Sequence, residues 1–357
     1  RDDFALDYTQ AGWVVSAFNL SYGLSQLPGG WLSDRFGPRI LTVSGISGVA
    51  LCGLLIGLSP NYIMMITFLV LLGVFGGGYH PATSPLVSAS VSEKSRGRAL
   101  GLHQIGGTAS FFLTPLIAAG IASALGWRGS FIALAIPTFL FGIVLYVLLG
   151  RRYTPRSDRG PATTESQTPA APTRWRHLVA FTTLGIAIQV FIFSMMSFIP
   201  LFVVDQFQAS KETGAALFSL YHFAGFWAGP LGGYLSDRLG RVPVMLTVGI
   251  LAGPILYLFN LVSFGWSISL VLVIAGTAQY ISMPVSEAYI ISHTGQHNRS
   301  TILGIYYFAS RGGPGLLLPA VGYLIDHFGF GPSFTMVGAV LLGLALACST
   351  FLWGSRD

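Results

Sequence analysis

The residues best able to do chemistry in this chain are a handful of ionisable side chains set inside long apolar runs. Arg311 lies within the run 301–325, Glu287 within 266–292, His80 within 62–90, and His222 within 214–236 beside Tyr221. His103, followed by Gln104, lies within 99–125. A charge in such surroundings is costly and is a functional candidate by default. A lone guanidinium facing a water-filled cavity favours an anionic solute; the alternative is a contact with Glu287 or with a backbone carbonyl that ties two helices together. The succeeding Gly312-Gly313-Pro314-Gly315 predicts a bent or loosened helix there. A carboxyl in apolar surroundings is cheaper neutral than charged, which suits Glu287 to carry a proton, unless it sits in a solvated interface. An imidazole titrates near neutral pH, which suits coupling or gating at His80; a hydrogen bond between helices is the alternative reading. His103, Gln104 and His222 are further candidates for the solute or proton site.

Other chemistries find no footing. The glycines at 74–78 are not followed by the Gly-Lys-Ser/Thr of a nucleotide loop, since Lys94 and Lys211 follow Glu93 and Ser210. No His-Glu-x-x-His zinc pattern occurs and no catalytic triad spacing stands out, so we expect no metal, no cofactor and no enzyme. Cys52 and Cys348 each fall in an apolar run and read as packing residues rather than a disulfide framework.

The elements that must position these groups follow from composition. Of 357 residues 52% are hydrophobic and 9% are charged, with a mean hydropathy of +0.67; soluble domains carry about 25% charged residues. Runs of about 20 apolar residues can cross a bilayer as helices. Candidates cover 11–33, 38–60, 62–90, 99–125, 130–149, 177–204, 214–236, 243–263, 266–292, 301–325 and 332–353. They are continuous rather than alternating, which excludes barrel strands. The net charge of +6 is distributed with a direction. If the 34–39 loop is cytoplasmic, the alternating loops on that side and the C-terminal tail hold 15 of the 19 Lys and Arg, among them Arg35, Arg39, Arg96, Arg98, Arg238, Arg241 and Arg299. The other side holds Arg1, Arg128 and Lys211. Cytoplasmic loops retain cations, whereas a nucleic-acid face would gather them on one solvated surface. No nucleic-acid partner is expected.

A duplication at an offset of 203 residues organises the chain. Gly29-Gly30-Trp31-Leu32-Ser33-Asp34-Arg35-Phe36-Gly37 returns as Gly232-Gly233-Tyr234-Leu235-Ser236-Asp237-Arg238-Leu239-Gly240, identical at seven of nine positions. The same register carries Pro81 onto Pro284, Arg96 onto Arg299 and Ser130-Phe131 onto Ser333-Phe334. Two equivalent helical halves are a known solution for secondary transporters. Asp205 and Phe207 map onto Asp2 and Phe4, so the offset predicts that the counterpart of 177–204 precedes Arg1. The expected domains are 1–149, a bundle lacking its first helix; 150–176, a flexible, basic, Pro-rich cytoplasmic linker; and 177–357, a complete six-helix bundle.

The segment Gly29 to Arg39 resembles the signature loop between the second and third helices of the major facilitator superfamily, and Gly232 to Arg241 resembles its second copy. The resemblance implies an all-α integral membrane fold of two pseudo-symmetric six-helix bundles, twelve spans natively and about eleven here. It implies a cytoplasmic gate built from Gly30, Asp34, Arg35, Gly37 and Arg39 with Gly233, Asp237, Arg238, Gly240 and Arg241. Gly76-Gly77-Gly78-Tyr79-His80-Pro81 and the sequence from Gly97 to Gly107 resemble the fosmidomycin-resistance-type exporters, although Ala82-Thr83 stands where that group has an acidic residue.

These readings converge on a secondary permease moving a small organic anion or drug-like solute by alternating access, with protons as coupling ion. It would sit in the cell membrane, in contact with the lipid bilayer, act as a monomer, and keep its central linker and C-terminus cytoplasmic. Proton-coupled efflux of neutral or cationic drugs is the alternative within transport. A non-transporting membrane sensor is the alternative outside it, and would be expected to carry a soluble signalling domain.

Overall fold

The computed structural model describes residues 1–89, 91, 96–152, 175–294 and 296–353. The side chains of Gly30, Asp34, His80 and Gln104, although on helices, lie outside what is described, as does most of the 150–176 linker.

The described residues form twelve helices and a short 3-10 turn at Asp2–Phe4, joined by short connections. They are α1 (Tyr8–Phe36), α2 (Pro38–Gly57), α3 (Tyr62–Ala89), α4 (Arg96–Arg152), α5 (Trp175–Met196), α6 (Ile199–Phe207), α7 (Lys211–Phe223), α8 (Gly225–Leu239), α9 (Arg241–Leu258), α10 (Trp266–His293), α11 (Gln296–Phe328) and α12 (Phe330–Leu352). Each of the eleven apolar runs is mostly helix among the described residues, but the breaks differ from the expected ones. α4 carries two runs joined at Gly126, whose φ of 71° turns the chain. The run 177–204 is split at Ser197-Phe198 into α5 and α6, and 214–236 at Ala224 into α7 and α8. In lipid every backbone N–H and C=O must be satisfied within the protein, so the segments have no choice but helix.

The repeat is visible in backbone geometry. Gly37 (φ 86°, ψ 144°) and Gly240 (φ 91°, ψ 151°) end α1 and α8 in one conformation, each N–H bonded to the carbonyl of the serine four residues back, Ser33 and Ser236. Gly126 (φ 71°, ψ 171°) and Gly329 (φ 79°, ψ 176°) form a second pair at the same offset. Only glycine adopts such angles without strain.

Each half packs on itself: α1 on α3, and α2 on α3 and α4, in the first; α5, α8, α9, α10 and α12 around a large apolar core in the second. The halves meet along two seams, α1 against α11 and α4 against α7. Small residues make the first seam close. A Cβ on Gly12 would lie 2.7 Å from the Leu318 carbonyl oxygen, and one on Gly23 would lie 2.7 Å from Gly312 Cα. Close backbone approach of this kind is how helices associate where water supplies no driving force. The Gly312–Gly315 stretch is a packing surface inside α11, which continues as helix without interruption through these residues. Cys52 and Cys348 are buried, unpaired packing residues. Large apolar side chains on the outer limb of α4, including Phe139, Leu140 and Phe141, face outward, as a lipid-facing surface requires.

Candidate functional site

The interior polar groups gather where α10 and α11 face α1 and α7. On α10, Tyr280, Met283 and Glu287 follow one another at i, i+3 and i+7, one face of a helix. On α11, Tyr307 and Arg311 are spaced i and i+4. Arg311 is the sixteenth of the 33 residues of α11, far from both ends. Its Nη2 donates to the thioether of Met283 at 3.4 Å. Its charge also acts on the Glu287 carboxyl and on the hydroxyls of Tyr22, Tyr280, Tyr306 and Tyr307. Tyr22 brings α1, and hence the other half, into the site.

Arg311 and Glu287 are thus brought together, yet no carboxylate lies within 4.0 Å of the guanidinium among the described residues. The tying ion pair between α10 and α11 is absent. Glu287 interacts instead with the Tyr307 hydroxyl, and its Oε1 is buried without a hydrogen-bond partner.

His222 is 3% exposed, and its Nδ1 shares a hydrogen bond of 2.8 Å with the Tyr280 hydroxyl. Its ring stacks on Phe111 of α4 at 5.3 Å, across the second seam. Through Tyr280 it reaches the Arg311 cluster, so three of the sequence candidates share one neighbourhood. His103 does not join them: it is half-buried near the start of α4, its ring 6.2 Å from Tyr79. His80 and Gln104 lie outside the described side chains.

Sequence reasoning missed the tyrosines at 22, 280, 306 and 307, although the i, i+3, i+7 spacing on α10 was available to find Tyr280. It also missed an amide pair behind the site: Gln189 of α5 donates to the Gln279 carbonyl at 3.0 Å and to Ser282 Oγ at 2.8 Å, and Gln279 donates back to Gln189 Oε1 at 2.5 Å. This pair fixes α10 against α5 and so holds the Tyr280–Glu287 face toward α11.

At the two ends of the molecule the charges are arranged differently. At the end bearing the basic loops, the described contacts stay within one half. Arg35 lies over the Trp31 ring at 5.3 Å, Arg39 donates to the Tyr146 carbonyl at 2.8 Å, Arg238 lies over Tyr234 at 4.7 Å, and Arg241 donates to Ser292 Oγ at 2.6 Å. Asp237 is exposed. At the opposite end the contacts cross between halves. The Asp326 carboxylate of α11 accepts from the backbone N–H groups of Tyr8 (2.9 Å) and Thr9 (2.8 Å), capping the start of α1, and from Thr9 Oγ1 at 2.5 Å. Asp205 accepts from Arg1 at 2.5 Å and from the Tyr8 hydroxyl, and Lys211 donates to Asp2 at 2.5 Å. The hydrogen bond from Lys211 lowers the pKa of the Asp2 carboxyl. None of the sequence candidates lay in this cluster of cross-half contacts.

Comparison with known proteins places this arrangement. The Major Facilitator Superfamily family model matches residues 1–207 and 179–357. The probable sulfoacetate transporter SauU of Cupriavidus necator is 25% identical over 99% of this chain and 87% of its own length. The multidrug resistance protein MdtG of Proteus mirabilis is 25% identical over 92% of this chain and 83% of its own. A crystal structure of a POT family transporter in complex with 5-aminolevulinic acid superposes with a TM-score of 0.79 at 14% identity, covering 97% of this chain and 88% of that one, which speaks for the fold alone.

Proposed function

This chain belongs to the major facilitator superfamily, and from that premise we propose that it is a proton-coupled permease whose solute is a small organic anion held at Arg311. Family membership makes the protein a membrane transporter of small molecules rather than an enzyme. The single observation that carries the anion reading is a guanidinium near the middle of α11 with no carboxylate partner among the described residues. Arginine offers five N–H donors in a planar fork matched to carboxylate or sulfonate oxygens, and here one donor is spent on a thioether.

Coupling falls to Glu287, a carboxyl with one buried, unpartnered oxygen beside the solute site. Alternating access would use the two seams. The Asp326 cap and the Asp205 and Asp2 pairs close one end, while the loops of Asp34-Arg35 and Asp237-Arg238 would latch the other in the opposite state. With cation-rich loops cytoplasmic, the closed end is the outer one and the arrangement is inward-facing in the cell membrane.

The relation to MdtG favours a second reading, export of neutral or cationic drugs. A guanidinium with no carboxylate within 4.0 Å among the described residues opposes cations, so we rank it below anion transport. Uptake of labelled organic anions into proteoliposomes, with and without Arg311→Ala, tests the choice: anion flux that survives the substitution intact would sink the assignment.

A further inference from the structure

We propose that the site accepts singly charged anions, small carboxylates or sulfonates, and excludes dianions, because the charges among the described residues can neutralise only one negative charge on the solute. The inference rests on the anion reading of Arg311 and adds to it a rule about charge.

The rule follows from counting. Among the described residues, Arg311 is the one Lys or Arg set deep within a helix. Arg35, Arg39, Arg176, Lys211, Arg238 and Arg241 all lie in the first two or last two residues of their helices, and Arg128 lies at the Gly126 kink. His222 is enclosed by the rings of Phe111, Phe218 and Tyr221, with the Tyr280 hydroxyl as its hydrogen-bond partner, so the neighbourhood gives it no counter-ion. The carboxyl in the cluster is that of Glu287, and the titratable and charged groups acting on it or acted on by it are Tyr306, Tyr307 and Arg311, all on α11.

Three charge states then matter. With Glu287 ionised and no solute, guanidinium and carboxylate sum to zero. With a monoanion on Arg311 and a proton on Glu287, the sum is again zero. A dianion leaves one uncompensated negative charge even with Glu287 protonated, and burying an unpaired charge at this depth is strongly unfavourable. Neutrality in both the empty and loaded forms also fixes the stoichiometry at one proton per monoanion, so net movement carries no charge. The phenols of Tyr22, Tyr280 and Tyr307 can donate or accept, and favour a solute with hydroxyl groups near its acid.

Two pairs of probes of matched skeleton test this with the full chain in proteoliposomes: isethionate against sulfoacetate, and gluconate against glucarate, each a monoanion against a dianion at pH 7.5. Uptake would be driven by an imposed pH gradient, then by a potassium–valinomycin potential. At least one monoanion should enter about ten-fold faster than its dianion. Its accumulation should follow the pH gradient and stay unchanged under about 100 mV, where one net charge would alter it about 50-fold. Dianion flux equal to its partner's, or monoanion accumulation that follows the potential, overturns the charge rule. If that flux is also lost in Arg311→Ala, the anion reading itself survives. Failure of every probe to move, or flux that Arg311→Ala leaves intact in protein verified as folded, overturns both.

Discussion

Arg311 and Glu287 are adjacent without being paired, so on the proposed reading each has a separable part in a transport cycle. Replacing Arg311 by Ala should lower anion uptake by roughly 100-fold, the scale of losing a charge-assisted contact of about 2–3 kcal/mol. Lys should restore only part of it, because an ammonium cannot offer the fork. Initial rates in proteoliposomes would read both. Glu287→Gln should leave anion exchange across the membrane intact while abolishing accumulation driven by a pH gradient; accumulation persisting in this variant would remove Glu287 from coupling. The Asp2 pKa is lowered from 3.8 by Lys211, so whatever the pair contributes is present above pH 3.8 and lost only as pH falls through the depressed value. A pH–rate transition between 5 and 8 must therefore come from groups other than Asp2.

On the proposed reading the elements that decide access are α1 and α11, since their seam includes both Tyr22 beside Arg311 and the Asp326 cap. Gly322 lies against the Tyr8 carbonyl and within 2.7 Å of Thr9 Cα once a Cβ is placed on it. Gly322→Val should therefore wedge the outer end apart. A cysteine introduced at Tyr22 should then react faster with a membrane-impermeant thiol reagent added outside, and unchanged labelling would show that the seam does not gate entry. Asp326→Ala should act in the same direction but more weakly, because water can replace the carboxylate at the α1 N-terminus. Glycines at 37, 126, 240 and 329, with positive φ, set the turns on which the two halves repeat; Gly240→Ala should destabilise the α8–α9 turn by about 1 kcal/mol or more.

For the whole molecule, the two ends cannot both be latched if the halves rock about a central site. Cysteines replacing Thr9 and Asp326, whose side chains meet at 2.5 Å, should cross-link on oxidation, stop transport, and release it on reduction. Transport undisturbed by a complete cross-link would exclude opening at this end. Asp34→Asn with Asp237→Asn should instead weaken the opposite latch and slow the return step; normal transport in the double variant would reduce both loops to structural turns.

Class and repeat were legible in the chain alone, because hydropathy, the cation distribution and the 203-residue register are local or periodic properties that need no folding to be read. Arg311 and Glu287 were legible for the same reason: a charge in an apolar run is conspicuous wherever it points. Their mutual relation was not, since residues 24 apart on different helices can pair or miss according to how α10 and α11 are rotated. The tyrosine ring around Arg311 was hidden because tyrosine is ordinary in membrane helices. The Gln189–Gln279 pair and the Asp326 cap join residues 90 and 318 positions apart, and no spacing rule reaches so far. Chemical identity was thus written in the sequence, while proximity was decided by helix packing, which depends on shape complementarity between distant segments.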